Sequence, residues 1–530
     1  MSSVSVAQSS ARGTLTLLIG NLLSTLLSTV TIIIFARLLG PGNYGVYTLA
    51  FVVPSILQLF VGLGVNTAVT RHVAFSLSTG NRAEAASMTR TAMVFCLLFG
   101  LAMSVLNIVA APYFDISIIH RPELVQYTPV SSIYVVAVAL SQCATSALIG
   151  WGSMVQVSFF TVLQAALKLV TGAVLIIGGL GVLGAIDAHV ASYLLQGVVA
   201  ALAIYLLRTR PIHEHEKHFT NDLRVMVRYG LPVFTGNVVS GLASQYATVI
   251  LAAVVTDAVI GYYQAALNVT VAITVISAAL ANALFRSFAE LHGLKEDIAL
   301  AFTYAVKYVS LILTPVVFFI LAAAGPLVLL VYGHAYSQAV ILLQLAGMSY
   351  LPVVAGLTVL PSFLNGVGRS RFTMLISIAG AGVLVVASIV LLLGLRLGAE
   401  GIMLALLVSN IATVVPGLIL ARKYFGAKID GLPLLGVFVA GVLAWAVVTL
   451  LPVGGLSGFV NLGGVLVIDA AVFLALYITL VPLFSGVDDR DLVRLSIAVE
   501  TMGPLRAILG LFIGIERRLL RWRGQWKVRA

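Results

Sequence analysis

The chain predicts an all-α polytopic membrane protein, and three observations carry that prediction. The first is composition. Sixty percent of the residues are hydrophobic and 9% are charged, with a mean hydropathy of +1.10. A water-soluble chain of this length needs a charged surface, which this one lacks. The second is continuity. Apolar runs of about 20 residues recur almost end to end, each able to cross a bilayer as a helix. They are continuous rather than alternating, which sets aside a β-barrel. The third is an internal duplication. GNLLSTLLS (20–28) returns as GNVVSGLAS (236–244), 216 residues later.

The register of the duplication persists. Gly45, Tyr47, Ala50 and Asn66 meet Gly261, Tyr263, Ala266 and Asn282, and Gly150 and Gly152 meet Gly366 and Gly368. After one residue of drift, Gly181, Gly184, Ala188 and Ser192 meet Gly398, Gly401, Ala405 and Ser409. Duplicated helical bundles with the substrate site between the halves are a common transporter design.

About fourteen transmembrane helices are expected, near 14–38, 46–70, 91–113, 129–149, 154–178, 185–207, 229–254, 258–284, 302–324, 340–364, 372–394, 399–421, 432–452 and 462–484. The first six make an N-terminal lobe (1–210). A linker (211–228) leads to a second six-helix lobe (229–425), and two additional helices follow (426–485). Six is even, so both copies enter the membrane in the same direction. The lobes are then parallel, related by a pseudo-two-fold axis along the membrane normal. The remainder (486–530) is a basic tail whose stretch 505–529 is apolar with Arg, Lys and Trp flanks. Such a segment suits an interfacial helix on an anionic leaflet.

Charge orients the chain. With the N-terminus inside, inner segments hold 26 of the 30 Lys and Arg, against Arg37, Arg121 and Arg396 outside and Lys168 within a span. That bias predicts a multi-pass plasma-membrane protein with both termini cytoplasmic. The first apolar run is longer than a signal-peptide core, so it reads as a retained helix. Cys96 and Cys143 lie in apolar helices and give no disulfide framework or metal spacing.

The stretch ARLLGPGNYGVYTLAF (36–51) resembles the first-loop signature of the polysaccharide-biosynthesis exporters, the lipid-linked oligosaccharide flippases. AVIGYYQAAL (258–267), ALIGWGSM (147–154) and FLNGVGRS (363–370) are similar to other turns of that family, and the resemblance covers about 12–425. It implies a twelve-helix core around a central cavity, alternating access, and an isoprenoid-linked glycan joined through phosphate or pyrophosphate. Many members carry an acid early in the seventh span. Here that region reads SQYATVIL (244–251), so no ion-coupling role transfers to it.

A charged head group crosses hydrocarbon only when shielded, so a cavity with cations and amides is expected. Lys168, in LQAALKLVTG (163–172), is the first candidate because its counterpart in the other copy is Leu384. A charge at that depth costs about 2.5–3.5 kcal/mol on insertion scales, so it faces protein or water. The competing reading is snorkelling or a structural hydrogen bond. Lys307 meets Arg90 at an offset of 217 and reads as an interfacial anchor. Arg37 stands at the outer end of the first span. Arg71 and Arg286, at matched inner helix ends, form either a basic mouth for an anionic substrate or ordinary positive-inside anchors. The paired amides Asn21 and Asn237, and Asn66 and Asn282, either line a cavity or join helices.

Other patterns carry less. The tract 213–218 (HEHEKH) lies in the linker and reads as a solvated charge run rather than a metal site. Asp489-Arg490-Asp491 has no nucleotide-binding domain to serve. No P-loop, metal or cofactor is expected, nor any nucleic-acid partner. The expected partners are a lipid-linked glycan, membrane lipids and glycan-assembly enzymes.

The leading function is therefore a flippase, not an enzyme. A cation-coupled multidrug extruder of the same superfamily is the alternative. It calls for embedded carboxylates, and Asp469 alone is clearly deep. A membrane glycan polymerase or ligase is a second alternative, disfavoured because the longest outer loop (114–128) is too short for a domain.

Overall fold

The computed structural model describes the backbone of residues 3–210, 219–294, 296–450, 459–487 and 491, and most of their side chains from Thr16 onward. Among these residues every regular element is helical. The chain forms α1 (Ser3–Leu49), α2 (Val52–Phe60), α3 (Val65–Ser78), α4 (Arg82–Ser117), α5 (Thr128–Gly150), α6 (Met154–Leu175), α7 (Gly181–Ile204) and α8 (Phe219–Ala252). It continues as α9 (Asp257–Gly293), α10 (Ile298–Ala322), α11 (Ala324–Tyr332), α12 (Ala339–Ser349), α13 (Val359–Gly366), α14 (Ser370–Ser388), α15 (Gly398–Phe425), α16 (Gly431–Leu450) and α17 (Phe459–Leu483). Two compact units result, Met1–Gln264 and Ala265–Ala530. This packing boundary falls in α9 rather than in the linker, because α8 packs on α2, α3 and α4.

Among the described residues, ten helices are long and apolar enough to cross a membrane, or eleven if Ala339–Ala355 and Val359–Gly366, bent by 43°, form one broken span. The sequence predicts about fourteen, and the difference has physical causes. Thr16–Phe60 and Met154–Thr209 run 45 and 56 residues, each far beyond the ~20 of a single crossing. Each joins two predicted spans by a bend without a loop, although the span predicted at 46–70 breaks after Phe60 and resumes in α3. The first bends at Gly40, followed by Pro41. The second passes through a π turn, Ile176–Leu180, with Gly179 at φ 97°. The seventh predicted span lies in α8, where several side chains lie outside the described residues.

Helix faces are sorted for a membrane. On α4, Leu101, Val105 and Val109 are exposed while Ser104 and Asn107 are buried. The buried pair bonds across to α5: Ser104 Oγ donates to the Ser132 carbonyl at 2.7 Å, and Asn107 Nδ2 donates to Ser132 Oγ at 2.8 Å. Apolar surface turned outward and hydroxyls and amides turned inward is the arrangement a lipid solvent favours. Helix ends away from the lipid use ordinary caps: Asn81 accepts from the Glu84 amide at 3.0 Å, and Asp297 from that of Leu300 at 2.9 Å.

The duplication is visible in the backbone. Gly152 and Gly368, equated by the repeat, take φ of +71° and +76° in the turns before α6 and α14. Only glycine adopts that conformation without strain. Gly150 packs on Thr70 and Val73 of α3, and Gly366 packs on Phe285 and Phe288 of α9, the matching stretch. A reciprocal contact joins α1 to the start of α9. A Cβ on Gly45 would lie 1.9 Å from the Asp257 carbonyl, and one on Gly261 would lie 2.1 Å from that of Pro41. Both 41/257 and 45/261 are separated by the repeat offset, so this crossing has the self-complementarity of a two-fold contact. Beside it Arg121 holds Asp257 at 2.8 Å and donates to the Val255 carbonyl.

Candidate functional site: an aromatic cage beside an intramembrane lysine

The site is built by α1, α5, α6 and α7, all in the first unit. On α7, His189, Ser192, Tyr193 and Gln196 recur at helical spacing and share a face. On α1, beyond the Gly40 bend, Tyr44 and Tyr47 are followed at the same spacing by Phe51. The bend turns this stretch so that Tyr47, a buried residue, hydrogen-bonds His189 Nδ1 through its hydroxyl at 2.7 Å.

Aromatic rings close round that imidazole. Phe51 lies 4.5 Å from it, Tyr134 of α5 5.2 Å in an edge arrangement, and Tyr193 5.5 Å in a stack. Tyr134 also donates to Gln58 Oε1 at 3.1 Å. Below the cage runs a ladder of amides and hydroxyls. Gln164 of α6 donates to Ser192 Oγ at 3.0 Å, Ser192 donates to the His189 carbonyl at 2.8 Å, and Ser141 donates to Gln196 Oε1 at 2.7 Å. Lys168 stands one turn along α6 from Gln164, as His189 stands one turn along α7 from Ser192, the residue Gln164 bonds. Both Lys168 and His189 keep part of their surface accessible. One cation, several π faces and a set of hydroxyls and amides thus converge on one place. Recognition sites pair apolar walls with a few placed polar groups in this way.

The other residues singled out by sequence stand elsewhere. Asn21 and Arg37 are exposed on α1, sixteen residues apart, or about 24 Å of helix. Asn66 is partly buried on α3, 3.7 Å from Cys96 Sγ. Arg71 lays its guanidinium over Tyr229 at 4.6 Å. Its neighbour His72 is held below the usual imidazole range, chiefly by burial and further by the Arg71 charge, against the opposing pull of Glu84. Arg286 is exposed and paired with Glu290 at 2.8 Å on its own helix, and Asn282 is exposed one turn away. The Asn237 side chain, the 213–218 tract, Asp489, Arg490 and the 505–529 segment lie outside the described residues. Among the described residues no group of three His, Cys, Asp or Glu could hold a metal.

Lys307 differs from its reading as an interfacial anchor. It is buried in an ion pair with Asp491, which also accepts from the Tyr308 hydroxyl at 3.1 Å. A match with Arg90 in sequence does not reveal a partner 184 residues away.

Sequence reasoning missed His189, Tyr134, Tyr193 and Gln164. A signal existed: a histidine inside an apolar helix with a tyrosine four residues on. Tyr47 was in hand as half of the repeated Gly-x-Tyr, yet its partner was not.

Residues 34–341 match the family model described as polysaccharide biosynthesis protein. No curated relative matches the chain. Among solved structures, a lipid II flippase, MurJ, in an inward closed conformation aligns with a TM-score of 0.68 at 14% identity, over 90% of this chain and 99% of that one. An inward-facing multidrug resistance MATE transporter of the MOP superfamily aligns at 0.65 and 18%, over 81% and 96%. A MOP-superfamily transporter from Pyrococcus furiosus, with a binding pocket of reversed polarity, aligns at 0.55 and 16%, over 79% and 95%. At these identities the likeness is one of fold.

Proposed function

The chain belongs to the polysaccharide biosynthesis protein family, and on that premise we propose that it flips a lipid-linked oligosaccharide across the cell membrane. The link is phosphate or pyrophosphate, and transport is by alternating access of two parallel six-helix lobes. The observation that carries the reading is Lys168 on α6, one turn from the Gln164–Ser192 bond that joins α6 to the His189 cage. A lysine at membrane depth is costly unless it serves an anion or water. Here it neutralises the phosphate while the tyrosine and phenylalanine faces stack on sugar rings and the hydroxyls and amides bond them. Asn21 and Asn66, away from this cage on α1 and α3, add polar groups along the path, and Arg37, Arg71 and Arg286 gather the anion. Both termini lie in the cytoplasm. On that topology the Gly45–Gly261 crossing and the Arg121–Asp257 pair lie toward the outer face.

An extruder of cationic drugs shares the fold but calls on free carboxylates in the membrane. Asp222 is engaged by Ser87 at 2.6 Å, and Asp491 by Lys307 and Tyr308. Both lie outside the predicted spans, whereas the deep acid, Asp469, is buried with its Oδ1 lacking a hydrogen-bond partner among the described residues and is the one feature that favours an extruder.

The test is complementation of a gene-deletion host. Wild type restores surface glycan and clears the lipid-linked intermediate from the inner leaflet. Lys168→Met leaves the intermediate accumulated at normal protein level, and Lys168→Arg restores part of export. Normal export by Lys168→Met removes the lysine from the site. Efflux of cationic dyes by the wild type, with no glycan intermediate in the deletion, sinks the flippase reading in favour of the extruder.

A further inference from the structure

A cavity opens in the first unit, toward the other end of α7 from the His189 cage. It holds about 490 Å³ between α4, α5 and α7, within the size range of small-ligand sites. Its wall is almost wholly apolar, from Val94 and Leu97 of α4 to Val198 and Leu202 of α7. These four side chains are exposed, an apolar wall that lipid can reach in a chain that spans a membrane.

One end is different. Thr89, Arg90 and Thr209 line it. The chain leaves α7 through a π turn, Tyr205–Thr209, and Arg90 Nη2 donates to the Thr209 carbonyl. Trp151 Nε1 donates to Thr89 Oγ1 at 3.0 Å, and Arg208 lies over the Trp151 ring at 5.9 Å. Arg208 Nη2 donates to Ser153 Oγ at 2.9 Å, while its buried Nε has no hydrogen-bond partner among the described residues. Asp222 sits round α4, taken by Ser87 and Thr91 rather than facing the cleft. The cleft thus has an apolar body and a cationic head flanked by an indole. Tryptophan and arginine at one level mark the headgroup depth of a bilayer.

We infer that this cleft is a binding site for an anionic phospholipid. One acyl chain lies along Val94, Leu97, Val198 and Leu202. The phosphodiester meets the Arg90 guanidinium, whose planar fork suits phosphate oxygens. The inference needs only that the chain spans a membrane and does not depend on the transported substrate. A bound lipid here wedges α4 against α7, the helix that carries His189.

The test is lipid retention by the full-length protein. Wild type and variants are reconstituted in nanodiscs of phosphatidylglycerol and phosphatidylcholine, extracted into detergent, and read by native mass spectrometry. Wild type retains phosphatidylglycerol in preference to phosphatidylcholine. Arg90→Gln lowers that retention about tenfold, the weight of one charge-assisted contact. Leu97→Trp fills an exposed wall of the cleft without touching a buried contact and lowers retention as well. Equal retention by wild type and Leu97→Trp overturns the site, as does equal retention of the two lipids. Displacement of phosphatidylglycerol by a polyprenyl phosphate at equal concentration also overturns it, by making the cleft a substrate site.

Discussion

Tyr47 and His189 share one hydrogen bond of 2.7 Å inside an aromatic cage, and their chemistry sets different expectations for each. Tyr47→Phe keeps the ring and removes the hydroxyl, so thermal unfolding in detergent should report a loss of about 1 kcal/mol. His189→Ala removes the ring on which Phe51, Tyr134 and Tyr193 converge. Complementation should then fall well below that of Tyr47→Phe, with protein still present in the membrane. Equal export by wild type and His189→Ala would separate the cage from transport. Lys168 could be picked out by eye because a lone charge in an apolar run is conspicuous. His189 was harder, because a neutral-capable ring among aliphatics looks like core until its neighbours are known. Of those neighbours only Tyr193 is local, one turn on; Tyr47, Phe51 and Tyr134 lie far off in sequence, and no local spacing encodes them.

At the level of elements, α1 and α9 meet backbone to backbone at Gly45 and Gly261. Gly45→Ala and Gly261→Ala each force a methyl into a carbonyl and should cost about 1–3 kcal/mol, the usual scale of overpacking. Gly42→Ala, three residues earlier in open space, should be neutral or slightly stabilising through helix propensity. Thermal stability of the three variants checks the contrast, and equal behaviour would mean that the crossing does not form. The repeat named both glycines in advance, since each is half of a matched pair. It could not say that the pair touches. Element boundaries were legible where turn glycines recur, at Gly152 and Gly368. The bends at Gly40 and through Ile176–Leu180 also fall between expected spans, and what the sequence does not show is that helix runs on through them.

For the molecule as a whole, charge bias predicts which loops face which side. Cys96 and Cys143 are buried, so single introduced cysteines should label over a quiet background. His120→Cys should react with an impermeant maleimide added outside intact cells, and His215→Cys only after the membrane is opened. The reverse pattern would invert the proposed topology. The sequence alone determined that this is a multi-pass helical membrane protein built from a repeat, because bilayer thickness imposes a run length and lipid forbids exposed charge. The family was legible too, since its turn motif is local. Which side chains gather around His189, that Lys307 is spent on Asp491, and that a cleft headed by Arg90 opens between α4 and α7 were decided by tertiary structure. Such contacts join residues tens to hundreds of positions apart, and only the packing of helices brings them within reach.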